Sequence, residues 1–368
     1  MSGETVRIPV STLQNFMCDT FAKMGVPQDE ARICSEVVIE SDLRGIESHG
    51  IGRLKYYYDR IKSGQHNTTT QLEVIRESPT TAVIDGHHGM GMIIGTRSMQ
   101  MAIDKAEKYG MGAVAVRNST HFGIAGYYPT MAVKAGMAGL TFTNARPSIT
   151  PTFGVQPKLG TNPIAFACPS DEPFPFIFDA ATSIAQRGKF EVYARAEKTA
   201  PAGWAVNQQG SMETDPNSVL DGLTHDTVAL LPLGGFGEVL GGHKGYGLAV
   251  MVELLCASFQ SGAFLHDLLG VDNEGKKQHF RVGHFFMAIK VDNFVPLAEF
   301  KHTTGEIMRE LRAARKAPGC ERIYTAGEKE FENERFVREH GVEVNPNLQK
   351  EILFIQKELD LKNYDFPF

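Results

Sequence analysis

Apolar residues recur at helical spacing near both ends of this chain, and the stretch between them reads as short strands broken by Gly and Pro. A helical part built from the two ends must therefore be joined to a sheet formed by the middle. Near the start, Leu13, Phe16, Met17 and Phe21 make a stripe, with Ser11 as the expected cap and Gly25 as its close. A second helix is expected after Pro27, with Ile33, Val37 and Val38 on one side, running to Gly45. Residues 80–85 are β-rich. Residues 95–109 have helical composition, with Met99, Ala102, Ile103 and Ala106 in step and Gly110 ending the run; residues 113–116 return to strand. The runs GLTFTNA, PIAFACP and FIFDAA then predict further strands up to about Phe178. A hydrophilic connector is expected over 198–217. A long helix is expected from near Lys244, with Leu248, Val252, Leu255, Cys256 and Phe259 facing inward. The chain from about residue 300 onward is charged and mostly helical, with Asn345-Pro346 as a cap and first turn. The pattern is α/β.

With 368 residues the chain can bury a large core and form two or three domains. A net charge of -6 argues against a nucleic-acid partner, which needs a basic face. No apolar run approaches the roughly 18 residues needed to span a bilayer. The N-terminal residues match neither a secretory signal nor a transit peptide. The five cysteines, Cys18, Cys34, Cys168, Cys256 and Cys320, are scattered and odd in number, which fits reduced thiols and a cytoplasmic location. They include no metal-ligand pair.

One segment concentrates chemistry. Ser48, His49 and Arg53 place a hydroxyl, an imidazole and a guanidinium within six residues, at the expected end of a helix. An imidazole titrates near neutrality and serves as acid and base in one turnover. A guanidinium matches a carboxylate bidentately. The plain alternative is a solvated helix end. A second histidine, His121, follows a strand directly, where functional loops of α/β proteins gather; capping of a strand end is its plain alternative. At 241–245 Gly-Gly-His-Lys-Gly opens the long helix, where free N–H groups and Lys244 favour an anion. By contrast, Gly89, Gly91 and Gly95 imitate a dinucleotide fingerprint. The last glycine comes one place late and the next strand ends in Arg117-Asn118, without the acid that binds ribose. A simple glycine turn is expected there.

Four blocks resemble the malate/L-lactate dehydrogenase family that is distinct from the Rossmann-fold enzymes of similar name: DLRGIESHGIGRL from Asp42, VRNSTHFGIAGYY from Val116, GTNPIAF from Gly160 with FDAATSIAQRGKFEVYAR from Phe178, and GGHKGYGLAVMVELL from Gly241. They occur in the family's order, and the malate-active members are the nearest in pattern. The resemblance implies a non-Rossmann mixed-sheet domain over 76–300. It also implies a helical domain from residues 1–75 with about 300–368, and a homodimer with its site at the subunit boundary. It implies hydride transfer between a nicotinamide cofactor, NAD with NADP as the alternative, and a 2-hydroxy or 2-oxo acid. On it, His49 is the acid/base and Arg53 clamps the C1 carboxylate; Ser48 is expected to orient the imidazole or hydrogen-bond the substrate, with local backbone bonding as its plain alternative. Thr161 and Asn162 border the substrate and the nicotinamide. His121, Phe122, Gly123, Asp179, Ala180, Ala181, Gly242, His243, Lys244 and Gly245 contact the cofactor, with His121 the rival base. Gly327 and Glu328 match loosely near its adenosine end.

The absence of ligand spacing among His and Cys leads to a metal-free mechanism as the expectation. Malate is the lead substrate. Lactate, sulfolactate, ureidoglycolate or an imino acid are alternatives, and a nucleotide-binding protein without turnover is the reading from another class. Malate's second carboxylate requires another cation, for which Arg44, Lys55, Arg146 and Lys189 are candidates by motif proximity.

Overall fold

The computed structural model describes residues 4–272 and 274–368. A short strand β1 (Val6–Ile8) leads into helices α1 (Val10–Lys23), α2 (Gln28–Leu43) and, after two 3₁₀ turns at Glu47–His49 and Ile51–Arg53, α3 (Leu54–Lys62). Strands β2 (Glu73–Glu77) and β3 (Thr81–Asp85), helix α4 (Gly91–Tyr109), β4 (Met111–Ser119), α5 (Tyr127–Lys134), β5 (Met137–Thr143), β6 (Ile164–Cys168) and β7 (Phe176–Ala180) follow. Then come α6 (Arg187–Arg195), β8 (Ala205–Asn207), α7 (Pro216–Gly222), β9 (Val228–Leu230), α8 (Gly242–Ala257) and β10 (Val282–Lys290). The chain ends with α9 (Leu297–Ala313), α10 (Glu328–His340), β11 (Val342–Val344) and α11 (Pro346–Glu358). No helix among the described residues is long and apolar enough to cross a membrane.

The main sheet has seven strands in the order β2-β3-β4-β10-β5-β6-β7. Only β3 and β4 run parallel, linked by α4; every other pairing is antiparallel. This mixed sheet is not the parallel Rossmann arrangement. Strand β10 is central and covered on both faces. Phe286 and Ala288 pack with α4 and α5 on one side, whereas Phe285 and Met287 pack with Val252 and Cys256 of α8 on the other. The outer strand β2 is exposed along its length and carries Glu73, Arg76 and Glu77, charges that discourage edge-to-edge pairing.

The first and last helices share one core. Leu13, Phe16, Phe21, Val37 and Val38 pack with Val337, Ile352 and Ile355, and β1 pairs with β11 through Val6↔Val344. The expected capping at Asn345 is present, its side chain accepting from the N–H groups of Asn347 and Leu348. Several expectations are corrected. Ser11 lies inside α1, which starts after Pro9 without a side-chain cap, because Pro supplies the entry geometry. Helix α4 begins at Gly91, four residues early, and Gly110 ends it in a left-handed conformation. The 198–217 connector contains β8 and the start of α7, capped by Asp215. Val252 and Cys256 of α8 face inward as expected, but Leu248, and Phe259 just beyond the helix end, are exposed.

The glycine-rich start of α4 has a packing explanation. A Cβ on Gly91 would stand 2.3 Å from the carbonyl of Thr120, and one on Gly95 would stand 2.6 Å from the Tyr128 ring. The helix is pressed onto the loop after β4, and its glycines serve that contact.

Candidate active site

One end of the sheet collects the loops that carry chemistry. The C-terminal ends of β4, β5 and β7 and the N-terminal ends of β6 and β10 all reach this end, because their partners alternate in direction. The turn 44–53 closes over it. A cleft of about 380 Å³ results, lined among others by Ser48, His49, Arg53, His121, Arg146 and Asp179.

The turn owes its shape to Asp42, at the end of α2. This buried carboxyl accepts the N–H of Ile51 at 2.8 Å, and a Cβ on Gly50 would lie only 1.8 Å from its Oδ1. Burial pushes the Asp42 carboxyl up to about 8, partly opposed by the Ile51 N–H. Above it, Ser48 Oγ lies 2.8 Å from His49 Nδ1. Arg53 Nε donates to the Ser48 carbonyl at 2.6 Å, which leaves the terminal guanidinium nitrogens for a ligand. Two tight 3₁₀ turns, rather than one continuous helix, bring His49 and Arg53 to the same wall. Burial, and then the Arg53 charge, push the His49 imidazole down to about 4. The ring is therefore uncharged at physiological pH.

His121 stands beside it, the two rings 5.5 Å apart and nearly parallel. Its Nδ1 is 2.7 Å from the hydroxyl of Tyr57 and 3.4 Å from the N–H of Gly123. Burial, reinforced by His49 and Arg53, holds this imidazole well below the usual histidine range. Phe122 is buried, stacked 4.3 Å above His284, whose nitrogens bridge Thr143 and Ser119 across three strands. Asp179 at the end of β7 accepts the Gly126 N–H at 2.6 Å. Burial raises its carboxyl to about 6 against the pull of that N–H and of Arg44. Ala180 and Ala181 continue the same wall, and Gly123 and Ala125 face the cleft from the loop after β4.

Not every expected residue reaches this place. Thr161 lines the cleft, but Asn162 is fully buried. Its Oδ1 accepts from Ala145 N, and its Nδ2 donates to Ala249 O and to Glu253. Asn162, in a left-handed conformation with φ 35°, supports the 144–146 loop and offers no free group to a ligand. Gly242, His243, Lys244 and Gly245 lie in a separate hollow of about 450 Å³ with Leu233, Glu238 and Val239. A 2.9 Å hydrogen bond from Leu233 N to Thr182 O ties the two regions together. Gly242 and Gly245 are needed for packing there, since Cβ atoms would stand 2.0 Å from Gly235 O and 2.2 Å from Leu233 O. His243 and Lys244 are exposed. Gly327 abuts Pro175 and Ile177 behind β7, and buried Glu328 is engaged by Arg322, Arg312 and the Thr325 N–H. Neither residue lines the cleft.

Of the four candidate cations for a second carboxylate, only Arg146 lines the cleft. Arg44 is bound to Glu40 at 2.7 Å, Lys55 to Asp59 at 2.7 Å, and Lys189 lies over Trp204. Arg146 makes no ion pair among the described residues. Sequence reasoning missed Tyr57, Asp42 and Glu253. Tyr57 is hidden in a Tyr56-Tyr57-Tyr58 run that reads as helix stripe; Glu253 meets Asn144 and Asn162 from 109 and 91 positions away, and Asp42 shows its role only once the turn folds back to bring Ile51 N–H onto it. Among the described residues no group of three or more His, Cys, Asp or Glu is placed to hold a metal ion.

A family model described as malate/L-lactate dehydrogenase matches residues 8–353. The chain is 46% identical over 326 residues to the malate dehydrogenase of Pyrococcus horikoshii, covering 89% of this chain and 88% of that protein. It is 37% identical over 354 residues to the L-sulfolactate dehydrogenase of Methanocaldococcus jannaschii, covering 96% and 97% respectively. Among solved structures, malate dehydrogenase from Entamoeba histolytica superposes with a TM-score of 0.95 at 44% identity, covering 99% of this chain and all of that one.

Proposed function

The chain belongs to the malate/L-lactate dehydrogenase family, and from that premise we propose that it interconverts (S)-malate and oxaloacetate. The observation that carries the choice of a dicarboxylate is that Arg53 and Arg146 line one cleft with His49 and His121, each arginine free of ion pairs among the described residues. Membership implies a nicotinamide cofactor and a small acid substrate. The cleft suits that cofactor: Gly123, Ala125, Ala180 and Ala181 offer small side chains to a flat ring, with Asp179 as a hydrogen-bond acceptor beside them. When bound, the nicotinamide supplies the acceptor or donor for the hydride at C2.

The chain's own groups do the rest. The free end of Arg53 holds the C1 carboxylate in a fixed plane, and Arg146 receives the C4 carboxylate. Neutral His49, kept in place by Ser48, takes the C2 hydroxyl proton as the carbinol is oxidised and returns it to the carbonyl oxygen in the reverse direction. Thr161 borders the substrate. Lys244 and the start of α8 take the cofactor's phosphates, and the cofactor is NAD, with NADP as the alternative.

Reduction of oxaloacetate, pyruvate and sulfopyruvate with NADH and with NADPH tests the assignment. Wild type is expected to favour oxaloacetate. Arg146→Met should lower kcat/KM for oxaloacetate about 10- to 100-fold, the worth of a charge-assisted pair, and leave pyruvate within about twofold. Arg53→Lys should depress all three substrates, since all share the C1 carboxylate. An Arg146→Met enzyme equally impaired on pyruvate and oxaloacetate would remove Arg146 from the distal site. A wild type preferring sulfopyruvate would replace malate by sulfolactate.

We also propose a homodimer. Met251, Leu254 and Phe259 on α8 and its following turn are 39%, 53% and 63% exposed, an apolar face a single copy leaves uncovered. Light scattering that returned the 40.5 kDa mass of one chain would overturn this. The five thiols are unpaired, which supports a cytoplasmic location; recovery of the native protein in a membrane or secreted fraction would oppose it. The division into residues 1–75 with about 300–368 and residues 76–300 is proposed as the domain boundary, to be tested by limited proteolysis near 75 and 300.

A further inference from the structure

We infer that Tyr57 is a positioning residue that fixes the tautomer of His121, so that His121 presents an Nε2–H donor to the substrate's C2 oxygen and leaves proton exchange to His49. This deepens the dehydrogenase reading and rests on it for the identity of the substrate oxygen.

The argument is one of hydrogen-bond bookkeeping in a closed place. Tyr57, on α3, is completely buried, and its hydroxyl lies 2.7 Å from His121 Nδ1. The phenol is held in its protonated form by burial, so its oxygen carries a hydrogen that must find an acceptor. Nδ1 of His121 is the acceptor within reach. The Gly123 N–H also points to this nitrogen, at 3.4 Å. If Nδ1 bore the hydrogen, it would confront the Gly123 N–H, and the buried phenol hydrogen would have no acceptor among the described residues. A bare Nδ1 satisfies both donors at once. Because burial and the neighbouring His49 and Arg53 keep the ring neutral, its one hydrogen must sit on Nε2, the nitrogen left for the cleft.

A neutral ring with Nε2–H can donate a hydrogen bond to a carbonyl or hydroxyl oxygen, but it has no free lone pair there to accept a proton. His49 differs. Its Nδ1 faces Ser48, whose exposed hydroxyl can donate or accept by rotating. His49 can therefore lose and gain a proton at Nε2 without stranding a buried partner. Two neighbouring imidazoles, 5.5 Å apart, are thus given different duties by a phenol and a serine.

Selective ¹⁵N labelling of histidine in the full-length enzyme, free of ligand, reads the tautomer directly. The His121 signals, assigned by their loss in His121→Gln, should show a protonated Nε2 and an unprotonated Nδ1. Tyr57→Phe should give a mixture and lower kcat about tenfold, the effect of one neutral hydrogen bond, with cofactor affinity and KM within about twofold. His121→Gln keeps an N–H donor in the place of Nε2–H and should retain far more activity than His121→Leu. Adding Tyr57→Phe to His121→Gln should cost little more, because Tyr57 acts through the imidazole. A protonated Nδ1 in the wild type overturns the inference even if Tyr57→Phe does not fold. His121→Gln as inactive as His121→Leu overturns the donor role. The predicted tautomer in a protein that reduces no 2-oxo acid would instead overturn the dehydrogenase reading and leave the Tyr57 assignment standing.

Discussion

Replacing Gly50 with alanine probes the turn that carries Ser48 and His49. Its backbone angles, φ -83° and ψ -147°, do not demand glycine; the neighbour does. The added Cβ would stand 1.8 Å from Asp42 Oδ1 and 2.2 Å from Asp42 Cγ. Ordinary contact lies near 3.5 Å, so the two must separate by about 1.5 Å. Asp42 has little freedom to withdraw, being buried at the end of α2 with Oδ2 bonded to Ile51 N. The turn must move instead, and with it the imidazole one residue earlier. A displacement of about 1 Å at a reacting group costs on the order of 100-fold in rate. Gly50→Ala should therefore lower kcat for oxaloacetate reduction about 100-fold while the cofactor's Kd, read by NADH fluorescence, stays within about threefold. Because the three nearest atoms all belong to Asp42, Gly50→Ala combined with Asp42→Ala should be more active than Gly50→Ala alone. A single variant with near-normal kcat, or a double variant no better than the single, would refute the reasoning.

Three further outcomes follow from charge. With His49 held down to about 4, kcat/KM for malate oxidation should persist as pH falls through 6.5 and decline only toward pH 4 to 5; a limb centred at 6.5 would contradict it. The same depression, shared by His66 and His284 at about 3, makes the unfolded chain take up protons first. Their contribution to stability is complete above pH 6.5 and lost as pH falls toward 3 to 4, which Tm measured across that range checks. Lys244→Ala should weaken NADH binding about three- to tenfold, a modest loss because the side chain is exposed and screened, and equal dissociation constants would remove it from the phosphate site.

Local signals made much of the frame legible. Helices α1, α2, α4 and α11 announce themselves by apolar spacing and by Gly110, Pro27 or Asn345-Pro346 at their ends, and strands β3 to β7 by short apolar runs between turns. The central strand β10 escaped because VGHFFMAIK is buried on both faces and shows no alternation. The exposed side of α8 was misjudged for a related reason: an all-round apolar helix does not reveal which face its own chain covers. In the candidate site, Ser48, His49, Arg53, His121 and Asp179 could be singled out by residue type and motif. Asn162 was misplaced because an amide in a loop looks the same in sequence whether it faces a ligand or a buried Glu253.

What the sequence determined by itself was the inventory: a helical part from the two ends, a sheet from the middle, two histidines and an arginine in recognisable strings. These depend on spacing over a few residues, which the chain carries wherever it folds. The tertiary structure decided the rest. It brought Arg146, and not Arg44, Lys55 or Lys189, to the cleft wall, placed Tyr57 against a histidine 64 positions away, and set Asp42 beneath Gly50. It also placed the start of α8 in a hollow of its own. Such outcomes depend on burial and on partners brought together by strand order, and a buried donor or carboxyl acquires its proton and its role only from what surrounds it.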